Sequence, residues 1–481
     1  MRKTFVNILY NGIYQLIILL LPIIVVPYVS ARLGKEALGI NAFVNATPVF
    51  LSVIILFGMN QFGARTIAQA KKEELGHKFA QLWLIQFLVG MITIIGFVIV
   101  VLAALDYKGY FLLEIPFLLG YVLDVSWLFI GLGEIKRVVM RNTIIKLAIV
   151  SCIFIFVHRP EDLWIYLLIN SVTYLANIVF WFDLRHYFSV KQAFRELHWN
   201  KQYFWAALTV TMPAMALQFY ISFDQTIVGW LAGNAQLAYY SQSQLMCRAI
   251  TTMVGSVSTI LMPKMAQMLV SENGHKEVKR LLGQVLDYSL LAGAYFSAAF
   301  MVNARKFVVW FWTPEFAPMG PVLFISALII MIVSYGSVYA TQYTLSRGLF
   351  KKYSFPFYIG AVVSLSLNFL LVPHFKAIGG AITIVITEAI VCVLRIWVVR
   401  KELPLLQYFA NQWKIVFAGA VSVIIGLLLP INFGSLFVDL VLQTIILTLV
   451  YLVVLLVLRE NALRDIVSRV TRRFRRSGAA R

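Results

Sequence analysis

Residues 124–146 read Asp-Val-Ser-Trp-Leu-Phe-Ile-Gly-Leu-Gly-Glu-Ile-Lys-Arg-Val-Val-Met-Arg-Asn-Thr-Ile-Ile-Lys. An acid, Asp124, stands inside an apolar run, with Trp127 three residues on. A short turn follows that carries Glu134, Lys136, Arg137 and Arg141. The chain turns apolar again at Thr143, with Lys146 just inside. One helix leaves a membrane here and the next re-enters, each keeping a charge. A charge at mid-bilayer costs about 2.5–3.5 kcal/mol on insertion scales, so it faces a cavity, a partner or a path.

Working outward, the 481 residues are 61% hydrophobic and 13% charged. Soluble domains carry about 25% charged residues, so this is a polytopic membrane protein. The net charge of +20 would suit nucleic acid, but the basic residues fall in short clusters between apolar runs, the habit of membrane proteins. No nucleic-acid partner is expected. Cys152, Cys247 and Cys392 all lie in apolar runs and offer no disulfide framework or paired metal spacing. The first apolar run, broken by Asn7, Asn11 and Gln15, is too long for a cleaved signal peptide and reads as a retained helix.

A spanning helix needs about 20 mostly apolar residues. On that rule the sequence predicts fourteen spans, at 8–30, 40–62, 79–105, 111–133, 143–158, 164–184, 205–231, 239–263, 283–303, 321–345, 355–373, 378–399, 415–431 and 437–458. With the N-terminus inside, 31 of the 41 basic residues fall on the inner side and 7 on the outer. That split places both termini in the cytoplasm. Leu38-Gly39 and Leu237-Ala238 each open an even-numbered helix after a short outer turn, and Arg65 and Lys264 close them at the same offset. Spans 1–6 and 7–12 therefore read as parallel repeats. The expected fold is all-α. It has an N-terminal lobe over 1–200, a C-terminal lobe over 201–410, and two further helices with a basic tail over 411–481. The Arg-rich tail from Arg464 suits the anionic inner leaflet or plain solvation.

The chain lacks the Gly-x-x-x-x-Gly-Lys-Ser/Thr loop of ATP binding. Its six histidines show no i, i+4 metal spacing. No cofactor, metal or enzymatic chemistry is expected. The informative residues are polar ones at membrane depth. Asn7, Asn11 and Gln15 share one face of helix 1, and Asn41 and Asn45 precede Pro48 in helix 2. Such stripes suit cavity-lining helices that bend; plain helix–helix hydrogen bonding is the simpler alternative. Asp224 stands about 28 Å along helix 7, near its outer end, where water would reach it. Arg248 stands about 14 Å into helix 8, too deep to snorkel easily, and reads as an anion contact. Asp124 and Lys146 lie on consecutive antiparallel helices and could pair, as a structural ion pair or as a coupling site. Glu388 and Arg395 share a face of helix 12 and read as structural.

These residues resemble a known family. Asp124-x-Ser126-Trp127-x-Phe129-x-Gly131, Glu134-x-Lys136 and Arg141-Asn142-Thr143 with Lys146 are similar to the helix 4–5 signature of the Wzx-type oligosaccharide flippases. Those belong to the multidrug/oligosaccharidyl-lipid/polysaccharide exporter superfamily. Gly58-Met59-Asn60-Gln61-Phe62-Gly63-Ala64-Arg65 resembles its helix 2 end, and Asp224-Gln225-Thr226 and Tyr239-Tyr240 its helices 7–8. The chain departs at Gln225, where relatives often carry Lys, and at Ser241, Gln242 and Gln244, where they often carry charges. The resemblance implies a V-shaped, two-lobe transporter that moves undecaprenyl-diphosphate-linked oligosaccharide across the bacterial cytoplasmic membrane by alternating access. Arg248, Asn11, Gln15, Asn45, Gln242 and Asp224 are the expected substrate contacts. The lipid bilayer and the polymerase and glycosyltransferases of the same pathway are the other expected partners. A cation-coupled drug antiporter of the same superfamily and a membrane-embedded polymerase or glycosyltransferase are the alternatives.

Overall fold

The computed structural model describes residues 2–104, 106–195, 197–268 and 274–461, without side chains in 2–20 and 256–276. The Arg-rich tail of 464–481 lies outside the described residues, which contain helices and no strand. Eleven helical segments among them are long and apolar enough to cross a membrane. Two of these run to 48 and 50 residues, more than twice what one crossing needs. The first bends at Gly34 (φ 74°) and breaks again at Phe57 and Gly58 (φ 43° and 71°), and the second bends at Lys376 (φ 53°). Eleven is therefore a floor for the number of crossings.

The helices form because their apolar runs leave backbone groups no other partner inside a bilayer. Many are apolar all round. In Leu75–Ala104, Phe79, Leu82 and Ile85 are buried while Ile92, Ile95 and Ile99 face outward, as suits a helix with protein on one side and lipid on the other.

The chain forms two compact units, Met1–Ala238 and Tyr239–Arg481. The first has a hydrophobic core that includes the aromatic Phe79, Trp127, Phe129 and Phe180 together with Leu184. Phe79 stacks on Trp127 at 5.5 Å and Phe129 on Phe180 at 4.6 Å. Helix Lys201–Ala232, which topology puts at the head of the second repeat, packs in this unit against the N-terminal helix. In the second unit, Leu286, Tyr335, Tyr339, Ile415 and Tyr451 share one core. The last two helices, Leu405–Leu428 and Leu436–Val457, are built into it, both packing on Gly274–Phe311.

The fifth span starts earlier than its apolar pattern predicts. Gly133, at φ +76°, breaks the chain, and the helix runs over Ile135–Phe156. Its first two turns carry charge because Arg137 bonds Glu134 at 2.8 Å and reaches Asp183 at 3.7 Å. Arg141 therefore lies inside the helix and not in the connecting turn.

Candidate functional site

The fourth span is not one helix. Ile115–Val122 and Ser126–Gly131 are separate helices, with 123–125 irregular between them. Broken helix at membrane depth requires partners for the freed carbonyls, and three neighbouring side chains supply them. Gln86, fully buried on Leu75–Ala104, donates from Nε2 to Tyr121 O (2.8 Å) and Asp124 O (2.9 Å). Trp83 Nε1 donates to Val122 O and Trp181 Nε1 to Leu123 O. Trp127 Nε1 in turn donates to Gln86 Oε1 at 3.0 Å. Asp124 closes the break itself, its Oδ1 accepting from Ser126 N at 2.9 Å.

That break turns Asp124 into a cavity of about 490 Å³ within the first unit. Asp124, Ser126, Arg141, Asn142, Lys146 and Asn177 supply its polar chemistry, with Asn60, Tyr121 and Tyr174 also on its wall. Asn60 comes from a π-helical turn, Met59–Gly63, a distortion frequent at functional sites. Arg141 is held by neutral oxygens: Nε and Nη2 donate to Asn142 Oδ1, and Nη1 to Asn177 Oδ1 at 2.5 Å. Its guanidinium lies 4.1 Å over the Phe180 ring. Asn177 is fixed by donating to Gly120 O at 2.7 Å. A Cβ at Gly120 would meet Tyr174 at 2.5 Å, so only glycine lets that wall approach.

Two cations and one carboxylate thus line the cavity. The sequence makes Asp124 and Lys146 a possible pair. They line one cavity together with Arg141, but no ion pair joins them. Amides, hydroxyls and a rigidly held guanidinium suit an anion flanked by hydroxyl groups.

In the second unit, Arg248 Nη2 lies 3.8 Å from Glu388 Oε1, which is buried. Arg248 is neither snorkelling nor bare; it has an internal counter-charge on another helix. Arg395 packs its guanidinium 5.0 Å over Phe357. Gln242 Oε1 accepts from Trp312 Nε1 at 3.2 Å. Asp224, read as hydrated near a helix end, is instead buried at 1% exposure in the first unit. Asn45 is half-buried and does not line the cavity. The side chains of Asn11 and Gln15 lie outside the described residues.

Arg141 and Asn142 stand in the helix 4–5 motif but not among the expected substrate contacts, and Asn177 on the cavity wall and Gln86 behind it are not selected by sequence patterning at all. Gly133 was the available signal, since a glycine there moves the helix start far enough to enclose Arg141. Asp124-x-Ser126 was another, because an acid two residues before a serine is a local turn and cap pattern.

Residues 5–269 match the model of a family described as "Polysaccharide biosynthesis protein". The putative O-antigen transporter of Escherichia coli (strain K12) is 26% identical over 402 residues, covering 82% of this chain and 96% of that protein. The putative O-antigen transporter of Shigella dysenteriae is 22% identical over 392 residues, covering 79% and 96%. Among solved structures, the lipid II flippase MurJ in an inward closed conformation matches with a TM-score of 0.74 over 96% of this chain and 100% of that one, at 13% identity. An inward-facing multidrug resistance transporter of the MATE family matches with a TM-score of 0.58 over 81% and 98%, at 14% identity. At those identities the likeness is one of fold.

Proposed function

The chain belongs to the polysaccharide biosynthesis protein family, as a multi-span membrane transporter of flippase type, and from that premise we propose that it translocates undecaprenyl-diphosphate-linked oligosaccharide repeat units from the inner to the outer leaflet of the bacterial cytoplasmic membrane. The observation that carries the proposal is the polar cavity of the first unit. Its two cations and one acid, set among amides and hydroxyls, suit a diphosphate or acidic sugar with hydroxyl neighbours. A drug pocket is characteristically apolar with few polar groups.

In this reading Arg141 fixes the orientation of the anion and Lys146 adds a mobile point charge, a division natural to the two side chains. Asp124 holds the broken helix and sets the local field. Arg248 is a second anion contact, since Glu388 at 3.8 Å is distant enough for a doubly charged ligand to compete. Asn11, Gln15, Asn45 and Gln242 contribute polar contacts to sugar along the transport path, and Asp224 does so once the packing that buries it opens. Both termini face the cytoplasm, in keeping with the basic clusters, and the pathway's polymerase and glycosyltransferases are its partners.

Deletion of the gene, with measurement of both surface polysaccharide and drug sensitivity, tests the reading. Loss of polymer with unchanged drug sensitivity is expected. Drug hypersensitivity with normal polymer would replace it with the antiporter reading.

A further inference from the structure

The Leu75–Ala104 helix begins beside residues 197–200, the segment that leads into Lys201–Ala232. Gln81 is buried there at 4% exposure. Its Nε2 lies 2.9 Å from His77 Nε2 and 2.5 Å from His198 Nε2, and the two imidazole rings are 4.9 Å apart. Asn200 Nδ2 donates to Gln81 Oε1 at 3.2 Å. Asn200 Oδ1 caps the following helix, accepting from the backbone N–H groups of Gln202 and Tyr203 at 3.1 Å each.

The direction of every bond follows from the last one. Backbone N–H groups only donate, so Asn200 must turn its oxygen to the helix and its NH2 to Gln81. Gln81 then turns its oxygen to Asn200 and its NH2 to both rings. An NH2 also only donates, so both imidazole Nε2 atoms accept, and both rings carry their proton on Nδ1. The arrangement is satisfied only while both histidines are neutral.

We propose that His77, Gln81, His198 and Asn200 form a proton-sensitive latch that ties the start of Leu75–Ala104 to the N-cap of Lys201–Ala232. Protonating either ring sets N–H against NH2. Relief requires the Gln81 amide to turn over, which brings its NH2 against that of Asn200 and disturbs the cap. Histidine is the side chain whose charge changes between about pH 5 and 8, and His198 is exposed to solvent.

The elements around the pair carry further charge. Glu74 and Lys78 pair with each other at 2.7 Å, with Glu73 beside them. Lys191 and Arg195 lie on Val190–Arg195, which packs on this helix, with Ala193 and Phe188 close over Gly76. Lys201 and Tyr203 open the capped helix. Glu196, two residues before His198, lies outside the described residues.

Hydrogen exchange of the full-length protein in lipid nanodiscs tests the latch, read at residues 199–204 and corrected for intrinsic rates. Protection about fivefold lower at pH 5.5 than at pH 8 is expected, the equivalent of one hydrogen bond. Gln81→Glu should reverse the sign, because a carboxylate accepts from charged imidazoles, giving more protection at pH 5.5. Asn200→Asp keeps a good cap but removes the NH2 that orients Gln81, so its protection should be equal at both pH values. Equal protection of the natural protein at the two pH values, or a Gln81→Glu variant with the natural sign, overturns the proposal.

Discussion

Gln86→Met should be among the most damaging single substitutions in the first unit, although Gln86 lies on the wall behind the cavity and not in it. Methionine matches glutamine in length and leaves the packing volume nearly unchanged. What it removes is polar. Trp127 Nε1 loses its acceptor, and Tyr121 O and Asp124 O lose their donor. Hydrogen bonds inside bilayers average about 0.6 kcal/mol, which sets the loss at no less than about 2 kcal/mol for three groups. Buried groups left unsatisfied cost about 1–3 kcal/mol each in water-soluble proteins, which sets the upper end at about 9 kcal/mol. Gln443→Met is the matched control, because Gln443 is buried too but makes one such bond, to Gly426 O at 2.8 Å. Reversible unfolding of the purified variants in mixed micelles measures both. Gln86→Met should cost about three times as much as Gln443→Met. Equal losses, or a smaller loss at Gln86, would refute the account of how the broken helix is held.

Arg141→Lys keeps the charge but cannot reproduce the fork to Asn142 and Asn177; surface polymer should fall several-fold at normal protein levels, and unchanged polymer would remove Arg141 from the site. Gly120→Ala forces a methyl group against Tyr174 at 2.5 Å, and overpacking of this kind costs about 1–3 kcal/mol, to be read as a lowered unfolding temperature. Glu402 lies between helices at one end of the second unit. Burial pushes its carboxyl upward, but hydrogen bonds from Lys352 and Tyr343 and the charge of Arg347 outweigh that and hold it below the ordinary carboxylate range. A depressed value means its stabilising contribution is complete at neutral pH and lost as pH falls through the folded-state value. Glu402→Gln should therefore destabilise the protein at pH 7 and make little difference at pH 3, measured by thermal unfolding at both.

The membrane class was written in the length and spacing of the apolar runs, and the helix 4–5 motif carried the family. The cavity was only half legible. Asp124 and Lys146 stood out because each is a charge in an apolar run. Their relation did not, because the broken helix at 123–125 leaves no gap in the apolar pattern. Its carbonyls are satisfied from Gln86 and Trp181, far away in sequence. Arg141 was hidden for a different reason: its charge made it look like part of the turn, whereas the helix already begins at Ile135. Arg248 meets Glu388 across 140 positions, a pairing that periodicity within one helix has no means to express. Burial of Asp224 depends on tertiary packing and is equally invisible to a count of residues along its helix.

The proposed role of the first unit's cationic cavity is to carry the anionic part of a lipid-linked sugar across the bilayer. Its most direct test is translocation of a fluorescent polyprenyl-diphosphate oligosaccharide in proteoliposomes, scored by quenching of label at the outer surface. Protein-dependent exposure of the inner-leaflet pool, abolished by Arg141→Gln together with Lys146→Gln, is the predicted result. Translocation by the double variant at the rate of the natural protein would contradict it.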